Sequence, residues 1–139
     1  MYSVRSNEYY SSPQEVVRLH NISNTDYGFE TEEEFDTFLK NTILLGIKNY
    51  IDLKVKDFSK MEEIPALVHM VAFTIASEFI TTGLVKQQTP TVSINDIPQI
   101  VNAKIITSDI KDLIETLKKQ YKRTNVLFDI LIDNKDGDN

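Results

Sequence analysis

The amino-acid sequence predicts a mainly α-helical protein, a small helical bundle with an extended arm or a short β-hairpin in its C-terminal third. Apolar residues recur at three-and-four spacing behind clear helix caps, and one further stretch is apolar on nearly every side. Residues 89–98 break that pattern with polar/apolar alternation and two prolines. With 139 residues, 41% of them hydrophobic, the chain can fill one core. The expected division is a helical bundle core at 1–86, an extended arm at 87–106, a C-terminal helix and apolar segment at 107–132, and a disordered tail at 133–139.

Taken in order, Ser12-Pro13-Gln14-Glu15 reads as a helix start. The serine side chain accepts a free backbone N–H, and proline stands where its missing N–H costs nothing. This helix ends near Arg18 or His20, and residues 21–28 are rich in turn formers. Thr31-Glu32-Glu33-Glu34 has the form of a capping box, with three carboxylates at the positive end of the helix dipole. Behind it Phe35, Phe38, Leu39, Thr42, Ile43, Gly46, Tyr50 and Leu53 form one apolar face, up to about Val55. Gly46 on that face is either a mild defect of about 1 kcal/mol against alanine or, the favoured reading, a place where another helix approaches closely.

Pro65 opens a third helix, 64–84, which is apolar nearly all round and therefore belongs in the middle of a bundle. Ala66, Ala72 and Ala76 would let neighbours pack tightly, and Gly83 is a C-terminal stop. Residues 89–98 read as an extended arm or edge strand. Thr107 then caps a last helix whose stripe is Ile106, Ile110, Leu113, Ile114, Leu117 and Tyr121, with Lys111, Glu115, Lys118 and Lys122 outside it. The apolar run at 126–132 fits either a strand or a helix.

The same residues constrain chemistry. A net charge of -6 argues against a main affinity for a naked phosphate backbone. The absence of cysteine excludes a disulfide framework, a thiolate zinc site and a cysteine nucleophile, and fits a reducing compartment. Residues 1–6 lack an apolar run behind Arg5, and no apolar stretch is long enough to span a bilayer, so neither a signal peptide nor a membrane association is expected. His20 and His69 lie far apart without ligand-spaced partners. His69 reads as a packed or rim residue rather than a general base. Glu32, Glu33 and Glu34 are explained by capping. Asp133, Asn134, Asp136, Gly137 and Asp138 lack the glutamate that a calcium loop needs. No glycine pattern cradles a phosphate, so no metal, cofactor or catalytic residue is expected.

Two features remain. Lys118, Lys119, Lys122 and Arg123 form the one basic cluster, suited to DNA phosphates, to an acidic partner, or simply to the end of a helix dipole. Val92, Ile94, Ile97 and Ile100 in the arm, with Val126, Phe128 and Ile130 near the C-terminus, supply more apolar surface than a bundle of this size needs to cover. They are candidate contacts to a neighbouring subunit. The alternative is that both segments fold back as a small hairpin on the same bundle.

Over residues 10–83 the succession of parts resembles the head-tail connector proteins of tailed phages and related proviruses, also called head-completion or neck adaptor proteins. The residues that carry the likeness are Ser12-Pro13-Gln14-Glu15-Val16, Thr31-Glu32-Glu33-Glu34-Phe35, and Ile43 through Tyr50-Ile51-Asp52. Asp57-Phe58 and Ile64-Pro65-Ala66-Leu67-Val68 follow, leading into a long helix with Ala72, Ala76 and Phe79. The resemblance implies a helical structural protomer that oligomerises as a ring beneath the portal protein and joins tail or neck proteins. DNA would pass through without sequence-specific contact. It further implies synthesis in the host cytoplasm, a place in the virion neck, and no catalytic residues. Beyond residue 86 nothing matches. The alternative from another class is a small helical regulatory or nucleic-acid-binding protein using residues 118–123. An enzyme is the weakest reading.

Overall fold

The structure, a computed structural model, describes residues 8–81 and 93–122, and all the regular structure in those residues is helical. The mainly α expectation is met. The alternative hairpin, with Val92, Val126, Phe128 and Ile130, and the 133–139 tail lie outside the described residues. No helix among the described residues is long and apolar enough to cross a membrane.

Helix α1 spans Pro13–His20 and starts as its sequence requires, with the Glu15 N–H donating to Ser12 Oγ at 3.3 Å. Asn21 ends it in the left-handed region (φ 50°), which asparagine tolerates. A 3₁₀ turn, Asn24–Tyr27, leads to Gly28 (φ 83°). Next, α2 (Glu32–Phe38), a π-helical stretch (Leu39–Leu44) and α3 (Leu45–Lys54) form one continuous helical path. Its start is a reciprocal capping box: the Glu34 N–H donates to Thr31 Oγ1 at 3.1 Å, and the Thr31 N–H donates to Glu34 Oε1 at 3.2 Å.

The π stretch explains one departure from the expected apolar face. Its wider turns shift the side-chain register, so that Leu39, Ile43, Leu44, Ile47, Tyr50 and Ile51 are buried. Leu53, which a uniform three-and-four count places on that face, is 74% exposed.

Helix α4 (Ala66–Thr81) packs against α1, α3 and the last helix, with Val68, Val71, Ala72, Ile75, Ala76 and Phe79 buried. Its predicted central position is therefore observed. Ala72 and Ala76 serve close packing, whereas Ala66 at the helix start is exposed. Gly83 lies outside the described residues.

The main correction concerns residues 94–105. In place of an extended arm or edge strand, the chain forms a 3₁₀ turn at Ile94–Asp96, α5 at Ile97–Ile100 and a π-helical stretch at Val101–Ile105. The reason is local. Ser93 donates to Asp96 Oδ2 from both its N–H and its hydroxyl, each at 3.1 Å, which puts Pro98 in a first helical turn that tolerates proline. Ile97, Val101 and Ile105, four residues apart, are then all buried.

The approach foreseen at Gly46 is made by α5. A Cβ built at Gly46 would overlap the Ile97 side chain, with even its Cγ2 only 2.8 Å away. Finally Thr107 Oγ1 accepts the Ile110 N–H at 3.2 Å and caps α6 (Ser108–Leu117), which continues into a π-helical stretch, Lys118–Lys122. Helix α6 lies on α4 through Ile110, Ile114 and Leu117.

If residues 94–105 belong to the core, Ile105→Ala should lower the unfolding free energy by about 2–4 kcal/mol in a urea titration. A change under about 0.5 kcal/mol would mark the segment as peripheral.

Candidate functional site

The densest polar constellation among the described residues gathers around Tyr10. Its ring is fully buried, in edge contact with Phe58, and its backbone is left-handed (φ 62°), a conformation that costs a bulky residue energy. The hydroxyl offsets that strain by donating to Asp52 Oδ1 at 2.5 Å and accepting the buried Phe58 N–H at 2.8 Å. Lys48 lies one helical turn before Asp52 and reaches its Oδ2 at 2.6 Å, Asp57 Oδ1 at 3.5 Å, and the face of the Tyr10 ring.

Burial, and then the bond to Asp52, push the Tyr10 phenol far above its ordinary range, so it acts as a neutral donor and not as a base. The Asp57 carboxyl is held at about 2, against an ordinary 3.8, chiefly by the Ser59 hydroxyl and the Ser59 N–H, with Lys48 adding to the effect. Tyr10, Lys48, Asp52 and Asp57 thus satisfy one another. The arrangement is a latch that ties the start of α1 to the end of α3.

The two histidines join the same interface further along. His69 Nδ1 faces the Tyr10 carbonyl at 3.0 Å, so it carries a hydrogen and donates it, while Nε2 is 3.2 Å from Glu15 Oε2. His20 Nε2 shares a hydrogen bond of 3.0 Å with Ser77 Oγ. Both rings stack against Phe73. His69 is therefore a rim residue fastening α1 to α4, as the lone-histidine argument expects.

The residues predicted as contacts to another subunit separate into distinct environments. Ile97 is fully buried inside the protomer, and its interface assignment is corrected for that reason. Ile100 is half-buried against the same core. Ile94 stays half-buried at a shallow groove of about 570 Å³, beside Pro98 and the exposed Leu53, with Asn49, Asn95 and Gln99 around it. Among the described residues, Leu53 in that facet, Leu19 and Met70 are the exposed large apolar side chains. In the basic cluster, Lys119 is exposed and Lys118 sits 3.4 Å from Glu115 Oε1, while Arg123 lies outside the described residues.

A second groove, about 430 Å³, runs between α1 and the first turn of α2. Val17, Ile22 and Phe35 form its apolar lining, and Arg18, Glu32, Glu33 and Asp36 stand around it. Sequence reasoning found neither groove nor latch. The i,i+4 pair Lys48/Asp52 was visible in the sequence, but nothing signalled that Tyr10, 42 residues away, would close on it. Compared with known proteins, no family model, no curated protein and no solved structure matches this chain.

Two outcomes follow from the latch. Tyr10→Phe leaves the buried Phe58 N–H without its acceptor and should cost about 1–3 kcal/mol in chemical denaturation. A folded pKa of Asp57 below the unfolded one means that its contribution is complete above about pH 4 and is lost as pH falls towards about 2. Asp57→Asn should accordingly flatten the pH dependence of stability in that acid window. An unchanged profile would show that the carboxylate is not held in this way.

Proposed function

We propose that this chain is a structural assembly protein, a head-tail connector protomer of a tailed phage or related provirus. In this reading it forms a ring beneath the portal, binds tail or neck proteins, lets DNA pass without sequence-specific contact, and catalyses nothing. The observation that carries the reading is a helical scaffold bearing an apolar facet, Leu53 with Ile94 and Pro98, on its outside. Its polar groups support this: the residues that would do chemistry elsewhere, Tyr10, Lys48, Asp52 and His69, are engaged in holding α1 onto α3 and α4. The order of capped helices, opened by Pro13, Thr31 and Pro65, is also the order on which the resemblance rests.

The facet suits protein contact for a physical reason. Leu53 contributes little to the fold at 74% exposure, yet covering it removes apolar area from water at about 25 cal/mol per Å². Asn49, Asn95 and Gln99 around it supply amide groups that fix orientation at the edge of an interface. The second reading, nucleic-acid binding through residues 118–123, draws on the exposed Lys119. Part of that charge is answered within the helix by Glu115.

Purified protein, alone and mixed with portal and neck proteins from the same genome, should form rings or portal-bound complexes by electron microscopy and sedimentation. Leu53→Glu should abolish that association while changing stability by less than about 0.5 kcal/mol. Failure to associate with any of these proteins, together with salt-sensitive DNA binding lost on neutralising Lys118, Lys119, Lys122 and Arg123, would replace this reading with the second one.

A further inference from the structure

The groove between α1 and α2 is apolar below and acidic at its edge. Glu32 and Glu33 are exposed, and neither makes an ion pair or hydrogen bond to another described residue. Asp36 beside them is shared with Lys40 at 3.4 Å, and Arg18 stands at the opposite edge with interactions of its own. The capping of α2 uses Glu34, so Glu32 and Glu33 remain uncommitted apart from their effect on the helix dipole. An occupant that fits must bring positive charge on long aliphatic stems, the stems lying on Val17, Ile22 and Phe35 while the charged heads reach the carboxylates.

The chain itself carries such a segment, Lys118-Lys119-Gln120-Tyr121-Lys122-Arg123. Lys119 is exposed and without a partner among the described residues, and Lys118 is only loosely paired within its own helix. This segment cannot enter the groove of its own protomer without being torn from its seat. Tyr121 is anchored edge-on to Phe58 at 5.2 Å, and Phe58 in turn packs on Tyr10, at the start of α1. The groove runs along α1 from Gln14 to Ile22 and against α2, and none of residues 118–121 lines it.

We infer that the groove between α1 and α2 receives the basic end of α6 from a second copy of the chain. The inference rests on the assembly reading above and names the surfaces by which protomers join. Groove and basic segment lie on different elements, so the contact is head-to-tail, the kind of contact that closes into a ring when the rotation allows. Its charges are at the surface, so they steer and select more than they bind, and the association weakens as salt rises.

The test uses the full-length chain in analytical ultracentrifugation, with portal present if wild type needs it to assemble, and with melting curves to confirm that each variant folds. The groove variant E32K/E33K and the segment variant K118E/K119E should each fail to assemble. Mixed together they should assemble again in alternation, because the unchanged segment of the first fits the unchanged groove of the second and the reversed segment of the second fits the reversed groove of the first. The fourfold exchange E32K/E33K/K118E/K119E should restore assembly. The milder E32Q/E33Q, which keeps the shape of the helix start, should weaken association roughly tenfold. Rings that form equally well from both charge-reversal variants would overturn the groove contact and leave the assembly reading standing. A wild-type chain that never associates, alone or with portal, would overturn both.

Discussion

Ile97 lies where any side chain at position 46 would have to stand, and much of the molecule follows from that contact. With no Cβ at Gly46, the backbone of α3 is open to close approach, and α5 comes in against it. Val101 and Ile105 follow at intervals of four residues and are buried in the same core. The stretch that carries them packs on α4, and α6 packs on α4 after it. A single missing methyl group thus lets residues 94–117 pack against α3 and the central helix.

The opposite side of the bundle is held by polar contacts. Only Pro13 and Val16 of α1 are buried, so apolar area alone holds that helix weakly. Tyr10, Glu15 and His20 make up the difference through bonds to Asp52, Phe58, His69 and Ser77. Bonds of this kind contribute modestly when made and cost more when one partner is removed, which suits a latch that must hold one geometry. The strained φ of Tyr10 persists because ring burial and both hydroxyl bonds over-determine it.

Local signals were legible in the sequence, and long-range ones were not. The caps at Ser12, Thr31 and Thr107 each act within three residues, and each stands where the chain announces it. The central place of α4 was equally plain, since a helix apolar on most sides has nowhere else to go. Residues 94–105 read as extended because Pro98 suggests an extended chain, whereas Ser93 and Asp96 form the turn that places it in a first helical turn. The outward turn of Leu53 depends on a π-helical stretch that a period of 3.6 does not contain. Gly46 signals a close approach, but its neighbour Ile97 lies in a stretch whose sequence reads as an arm. Of the candidate surfaces, Ile94 and Lys119 were read from sequence, whereas the α1–α2 groove and the Tyr10 latch exist only once distant segments meet.

The proposed role as an assembly protomer depends on outer facets held in a fixed relation, and the seating of α5 on α3 joins the helix that carries Leu53 to the turn that carries Ile94. A thermodynamic double-mutant cycle between Gly46→Ala and Ile97→Ala measures this seating directly. With Ile97 present, the added methyl group should destabilise the protein by about 1–3 kcal/mol through overpacking. With Ile97 cut back to alanine, the overlaps with Cγ1 and Cγ2 are gone and only the Cβ contact remains on a shorter side chain, so the same change should cost less, giving a coupling of at least about 1 kcal/mol. Additive effects, agreeing within about 0.5 kcal/mol, would mean that α5 does not rest on Gly46 and would contradict the account.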